Sequence, residues 1–257
     1  MLTHSKRIVV PVINFLGKKK EYKHFDYDPL MIGGCARSGT TILLSIVSAH
    51  PQIFTIPEEL GMFNRSLQKN GDIVPERIDR LYRYLLFNKI PSDARLWCEK
   101  TPRNVRYIAK IDRYFKGRFK FIHIIRDARD VVLSRHPSEP ERYWVAPNRW
   151  VRDVSAGLEY FEHPKVLTVF YEKLILDFEK TIKTICEFLE IPVTSEILNW
   201  HENTKVTHSR AYFDKVEQLF QNSIGKWKRE ENKPRVDKVL ENSQVKNLLY
   251  QLGYLKD

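Results

Sequence analysis

Cysteine is scarce in this chain. Three occur in 257 residues, Cys35, Cys98 and Cys186, odd in number and widely scattered. No CxxC pair or Cys/His spacing suggests a zinc site, and the pattern fits a reducing compartment. Long apolar runs are missing too. The stretch IVVPVINFLG behind Lys6 and Arg7 is too short to cross a bilayer and carries no small-residue cleavage site. The expectation is a soluble cytoplasmic protein without a transmembrane segment, in preference to a peripheral membrane protein. Acidic residues fall short of basic ones, 32 against 43, and the formal charge of +11 predisposes the protein toward an anionic ligand. That ligand class includes nucleic acid, a membrane surface, an acidic glycan or a nucleotide. Neither a repeat nor a low-complexity linker divides the chain, and 42% hydrophobic content supports one sizeable core.

What is present alternates between two periodicities. Residues 1–28 read as an N-terminal extension whose KKKEYK run suits a solvated face or tail. From 29 to 230 the chain reads as one core. Short apolar runs at 30–34 (LMIGG), 95–99 (RLWCE), 119–125 (FKFIHII) and 165–171 (KVLTVFY) predict strands. Helical patterns lie at 41–50, at 73–87 with Ile78, Leu81, Tyr82 and Leu85 on one stripe, and around Val105, Ile108 and Phe115. Others start at Asp127 and span 150–161 and 174–189, and residues 231–257 are assigned to a C-terminal helix. The alternation predicts an α/β fold with a central parallel sheet covered on both faces.

Ligands of open α/β sheets sit at the carboxyl ends of the strands, so the strand-to-helix turns carry the functional weight. GCARSGTT (34–41) has the glycine spacing of a phosphate-binding loop but lacks its lysine. Gly34 and Gly39 let backbone N–H groups converge on an anion at the helix start, Thr40 and Thr41 add hydroxyls, and Arg37 offers a guanidinium. Thr40 stands where the lysine would be and cannot reach the β- and γ-phosphates of a nucleoside triphosphate, which disfavours chemistry on a γ-phosphate. Alone, the loop is equally a glycine-rich turn that only connects strand and helix. In FKFIHIIRDARDVVLSR, Arg126 directly follows a strand, Ser134 lies in the next helix, and Asp127 with Asp130 forms a capping pair. Each turn by itself reads as an ordinary helix start. Together they suit a ligand with two separate phosphates.

In their order along the chain these motifs resemble the superfamily of sulfotransferases that use 3′-phosphoadenosine 5′-phosphosulfate (PAPS). CARSGTT is similar to the family's 5′-phosphosulfate loop, and IHIIRDARDVVLSR to its 3′-phosphate site. VFYEKLILDFEKTIKTICEFLEIP resembles the strand and helix that follow, and NSIGKWKRE its basic C-terminal Gly-x-Trp loop. The resemblance implies a P-loop NTPase-like three-layer sandwich, PAPS as co-substrate, 3′,5′-bisphosphoadenosine (PAP) as product, and no metal. It implies Arg37, Ser38, Gly39, Thr40 and Thr41 on the 5′ side, Arg126 and Ser134 at the 3′ phosphate, and Ser223, Gly225, Lys226 and Trp227, with Lys228, closing over the nucleotide. Trp227 reads equally as a hydrophobic anchor. Two departures stand out: Ala36 replaces the usual proline, and Ile42 occupies a position where many small-molecule sulfotransferases stack a tryptophan on adenine.

HPQIFTIPEELGMF resembles the glutamate-containing segment of tyrosylprotein and glycan sulfotransferases. That likeness implies Glu59 as the general base, with Glu58 as its competitor. The other reading of the pair is a helix N-terminus, where Pro57 and two glutamates favour the dipole. WCEKTPRN resembles a Lys-x-Pro segment and implies that Lys100, with Arg37, neutralises the leaving oxygen; otherwise Lys100 is a surface lysine. His123 reads as a core histidine, and His50 and His136 as turn residues. The expected acceptor is a hydroxyl-bearing small molecule or glycan, with an amine also open, lined by segments 60–95 and 136–150. There Arg142, Tyr143, Trp144 and Arg149 suit a sugar, a phenol, an acidic glycan or mere packing. The rival readings are an ATP-dependent phosphotransferase, disfavoured by Thr40, and a basic protein binding nucleic acid or anionic lipid; the ordered turns favour an enzyme without a nucleic-acid partner.

Overall fold

The fold comes from a computed structural model that describes residues 4–69, 72–136, 138–206 and 223–256. Helix α1 (His4–His24) precedes β1 (Leu30–Gly34), α2 (Thr40–Ser48) and β2 (Ile53–Ile56). The antiparallel pair β3 (Ser66–Lys69) and β4 (Asp72–Pro75) leads to α3 (Ile78–Phe87), β5 (Leu96–Lys100), α4 (Ile108–Phe115) and β6 (Lys120–Ile125). Next come the single turn α5 (Ala128–Val131), a second antiparallel pair β7 (Arg135–His136) and β8 (Glu139–Tyr143), α6 (Pro147–Leu158) and β9 (Val166–Phe170). After α7 (Tyr171–Leu176) and α8 (Phe178–Leu189), the short α9 (Ser195–Leu198) and α10 (Trp200–Asn203) precede α11 (Lys233–Leu240) and α12 (Ser243–Gln251).

Five strands pair in parallel in the order β2-β5-β1-β6-β9. Parallel neighbours need crossovers, and the crossover helices cover both faces. Successive side chains point to opposite faces, so Leu30, Ile32, Leu96, Cys98, Ile122 and Ile124 enter one core with residues of α2 and α8. Met31, Trp97 and Phe121 enter the other, with residues of α1, α3 and α4. This is the expected P-loop NTPase-like three-layer sandwich. A third apolar cluster, including Val131, Trp150, Val154 and Leu249, joins α5, α6 and α12 to Cys35 and Ile125 at the carboxyl ends of β1 and β6.

The four predicted strands and most helices are present, with several corrections. Strand β2 was not expected; it adds to β5 at the sheet edge, Ile53 opposite Leu96. The helix read from 73 starts at Ile78, because Asp72–Pro75 pairs with Ser66–Lys69 instead. The helix from Asp127 ends at Val131, so Ser134 lies beyond it. The extension at 1–28 holds α1, whose Ile13, with Phe25 just after the helix, joins the core around α3. Residues 231–257 hold two helices rather than one, since Asn242 accepts bonds from the N–H groups of Gln244 and Val245 and starts α12.

Candidate active site

The carboxyl ends of all five parallel strands open into one cleft of about 370 Å3. The turn after β1 contributes Arg37, Gly39, Thr40 and Thr41; Glu59 follows β2, Thr101 follows β5, Arg126 follows β6 and Tyr171 follows β9. This is the crevice that open α/β sheets use for ligands.

The loop after β1 is shaped for an anion. Gly39 caps α2 at φ 94°, and a Cβ there would come within 2.4 Å of the Tyr171 ring, so glycine serves both conformation and space. Arg37 also sits at positive φ, 72°, a conformation that costs free energy in a non-glycine residue. The first helical bond runs from the Leu43 N–H to the Gly39 carbonyl, which leaves the N–H groups of Thr40, Thr41 and Ile42 without helical acceptors. Ser38 is fully buried and does not line the cleft. Ile42 is buried in the core and is closed to adenine stacking.

Glu59 and Lys100 meet across the cleft wall. Lys100 Nζ donates to Glu59 Oε1 at 2.6 Å, with the Lys100 side chain 2% exposed and that of Glu59 47% exposed. Glu59 lines the cleft; Lys100 reaches it through Glu59. Glu58 is exposed, lies outside the cleft lining and acts on the Tyr84 hydroxyl. Neither glutamate begins a helix.

The backbone around this pair is clamped by a residue that sequence reasoning passed over. Glu99 is fully buried and accepts from the Leu60 N–H at 3.0 Å, the Asn104 amide at 2.8 Å and the Thr101 hydroxyl, while the Gly61 N–H donates to that same hydroxyl at 3.1 Å. Burial pushes its carboxyl up, against the pull of these donors and Lys100. The segment after Glu59 is thereby tied to the strand that carries Lys100. Replacing Glu99 by leucine would strand three buried donors, costing about 3 kcal/mol and lowering Tm by roughly 5–10 °C. Thermal unfolding of Glu99→Leu tests this, and an unchanged Tm would assign the clamp elsewhere.

A second cationic cluster lies on the β6 side. Arg126, 9% exposed, donates Nη1 to the Arg37 carbonyl at 3.1 Å and Nη2 to the Ser223 carbonyl, and its guanidinium stacks over Tyr171 at 4.4 Å. The Tyr171 hydroxyl meets Ser223 Oγ at 2.7 Å. Asp130, expected as a capping partner, instead accepts from the N–H groups of Gly225 and Trp227 at 2.7 and 3.1 Å. It ties the basic loop to α5, and burial raises its carboxyl while Arg126 opposes the rise. Lys226 is held below the usual lysine range by desolvation first and then by the Arg126, Arg229 and Arg37 cations. Such crowding of like charges is relieved by an anion between them.

The Trp227 ring lies 3.5 Å from the Arg129 guanidinium, which pairs with Asp127 at 2.6 Å and donates to the Tyr254 carbonyl. That arrangement suits the anchoring reading of Trp227. Ser134 is half-buried and off the cleft, its carbonyl accepting from the Trp144 N–H at 2.9 Å. Of the segments expected to line an acceptor site, Gly61, Asn64 and Arg80 from one and Trp144 and Arg149 from the other do so. Arg142 instead pairs with Glu139, and Tyr143 is held between Arg135 and Arg235. Arg80, Arg103 and Tyr171 line the cleft without having been singled out from sequence, because none sits in a phosphate-loop or capping pattern. His123 is fully buried, and burial pulls its imidazole down to about 3, as befits a core histidine.

Five arginines and a single carboxylate line the cleft, so the fold and site define a P-loop-like α/β protein built around a polyanionic ligand. The chain belongs to the sulfotransferase domain family, which it matches over residues 27–243. It is 29% identical over 208 residues to protein-tyrosine sulfotransferase 1 of Danio rerio, covering 69% of this chain and 57% of that one. With protein-tyrosine sulfotransferase A of Caenorhabditis elegans it shares 25% identity over 201 residues, 67% of this chain and 52% of the other. It thus spans little more than half the length of these relatives. Among solved structures, the sulfotransferase domain from the curacin biosynthetic pathway superposes with a TM-score of 0.57 at 16% identity, covering 84% of this chain and 98% of that domain. A mouse sulfotransferase solved in complex with PAP gives a TM-score of 0.52 at 18% identity, over 92% and 94% of the two chains.

Proposed function

We propose that this protein is a PAPS-dependent sulfotransferase, acting as a single domain, that transfers the sulfuryl group to an acceptor hydroxyl. The observation that carries the reading is that Glu59, paired with Lys100, shares one cleft with Arg37 and with Arg126, whose charge acts on Lys226. Family membership and the PAP-bound mouse relative support the donor; the names of the tyrosine-modifying relatives support a hydroxyl acceptor.

PAPS supplies an activated sulfur bonded to a bridging phosphate oxygen. Glu59 takes the proton of the acceptor hydroxyl as that oxygen bonds to sulfur, and the sulfur to bridging-oxygen bond breaks in line. Lys100 and Arg37 stabilise the charge left on the bridging oxygen. Free N–H groups at the start of α2 hold the 5′ side, and Arg126 with the basic loop around Lys226 holds the 3′ phosphate. The three cysteines are all buried and unpaired, which suits a cytoplasmic site of action.

Calorimetric titration with PAP, with magnesium-ATP and adenosine 5′-phosphate in parallel, tests the donor. PAP is expected to bind tightest, and Arg126→Ala and Lys226→Ala each to weaken it by about 10- to 100-fold, the worth of a charged hydrogen bond. A preference for magnesium-ATP would replace this reading with the phosphotransferase.

A further inference from the structure

The outer face of α1 is apolar where it meets solvent. Val9, Val12, Phe15 and Leu16 recur at three- and four-residue spacing, and at about 3.6 residues per turn they share one side of the helix. All four are exposed, Phe15 to 70% and Val12 to 52%. The opposite side is already covered: Ile13 packs with the α3 residues Leu81 and Leu85, and Gly17 brings the backbone so close to Tyr82 that a Cβ would lie 2.2 Å from its Cβ. Phe87, 77% exposed at the end of α3, lies beside the basic half of α1, between the Leu86 and Asn88 carbonyls that Lys20 bonds at 3.3 and 3.1 Å. A helix apolar on both sides has a second apolar environment to fill.

Charge identifies that environment. Positions 12, 16, 19 and 23 form one stripe, in which Val12 and Leu16 give way to Lys19 and Lys23, both exposed, with Lys18 beside them. The one acidic residue of α1, Glu21, turns inward and accepts from the Trp97 indole at 2.7 Å. The outer face therefore carries cations and no carboxylate. The same face of a second copy would offer these lysines no carboxylate partner. An apolar half followed by a basic half, with Phe15, Tyr22 and Phe87 exposed along it, is the layout of an interfacial helix on an anionic bilayer.

We propose that α1 docks this protein on anionic membrane surfaces, with Val12, Phe15 and Leu16 at the headgroup boundary and Lys19 and Lys23 over lipid phosphates. The attachment is peripheral, since among the described residues no helix is long and apolar enough to cross a membrane. It is independent of the chemistry assigned to the cleft, because none of these residues lines it.

Flotation of the full chain with phosphatidylcholine vesicles, with and without phosphatidylserine, tests the proposal. Binding is expected only with phosphatidylserine, and to fall as salt rises. The double variant Lys19→Gln, Lys23→Gln should bind roughly 30-fold more weakly, and Phe15→Ser with Leu16→Ser should abolish flotation, while both keep the wild-type Tm and PAP titration. Three results would overturn the assignment: no binding to either vesicle, binding untouched by the α1 variants, or a concentration-dependent dimer in light scattering that Phe15→Ser dissolves. The last would make the face a contact between copies.

Discussion

Glu59→Gln is expected to cut turnover by about 10²- to 10⁴-fold, the range of a lost general base, while PAP binding stays within a few-fold of wild type. The substitution keeps an oxygen that can accept from Lys100, which now donates to Glu59 Oε1 at 2.6 Å, so the cleft geometry is preserved and only proton acceptance is lost. Glu58→Gln serves as the matched control. Glu58 is exposed outside the cleft lining, and its replacement should leave turnover within about 2-fold, the scatter of an ordinary surface change. Single-turnover kinetics with a phenolic and an alcoholic acceptor would separate the two. An active Glu59→Gln enzyme beside an inactive Glu58→Gln enzyme would reverse the assignment. Loss of PAP binding in Glu59→Gln would instead show that the pair with Lys100 shapes the donor site.

The sheet was legible where strands are buried on both faces. LMIGG and FIHII are apolar runs broken at most by one histidine, and LWC is a shorter one that runs into the charged Glu99 and Lys100; each lies beside turn residues, and that pattern needs no partner information. Strand β2 escaped because four residues between Pro51 and Pro57 carry too little pattern, and it is the edge position that makes so short a strand sufficient. The β3–β4 pair was hidden by a helical periodicity that starts a turn early, a local signal overridden by pairing. Within the site, the residues next to a backbone turn were readable: Arg37 lies in the loop after β1, Lys100 ends β5 and Arg126 directly follows β6. Asp130 and Glu99 were not. Their roles depend on which distant N–H groups fold back onto them, Gly225 and Trp227 for one and Leu60 for the other, and nothing within a few residues announces those partners. Arg80 belongs with them, because it comes from α3 to bond the Leu60 carbonyl at 2.6 Å.

Lys100→Met is expected to lower turnover by about 10²- to 10³-fold, comparable to the loss of one donor at a developing negative charge. The geometry explains why the effect should fall on turnover more than on affinity. Lys100 is almost wholly buried, and in the free protein its charge is balanced by Glu59 on the cleft side and by the neighbouring Glu99. An ammonium held dry in this way is pre-aimed: a bridging oxygen that gains charge competes for it only as the sulfur bond breaks. Methionine keeps the aliphatic stem without the charge but leaves the buried Glu99 and Glu59 without their cation, so some loss of stability is expected and Tm is measured beside turnover. Arginine should not rescue, because its planar fork cannot occupy the site of a compact point charge. Measured kcat for Lys100→Met within about 3-fold of wild type, under half a decade against the decades expected of such a donor, would reduce Lys100 to a structural partner that merely holds Glu59. The combined Glu59→Gln, Lys100→Met variant then becomes informative: two groups acting on one transition state should lose far less together than the sum of their separate effects.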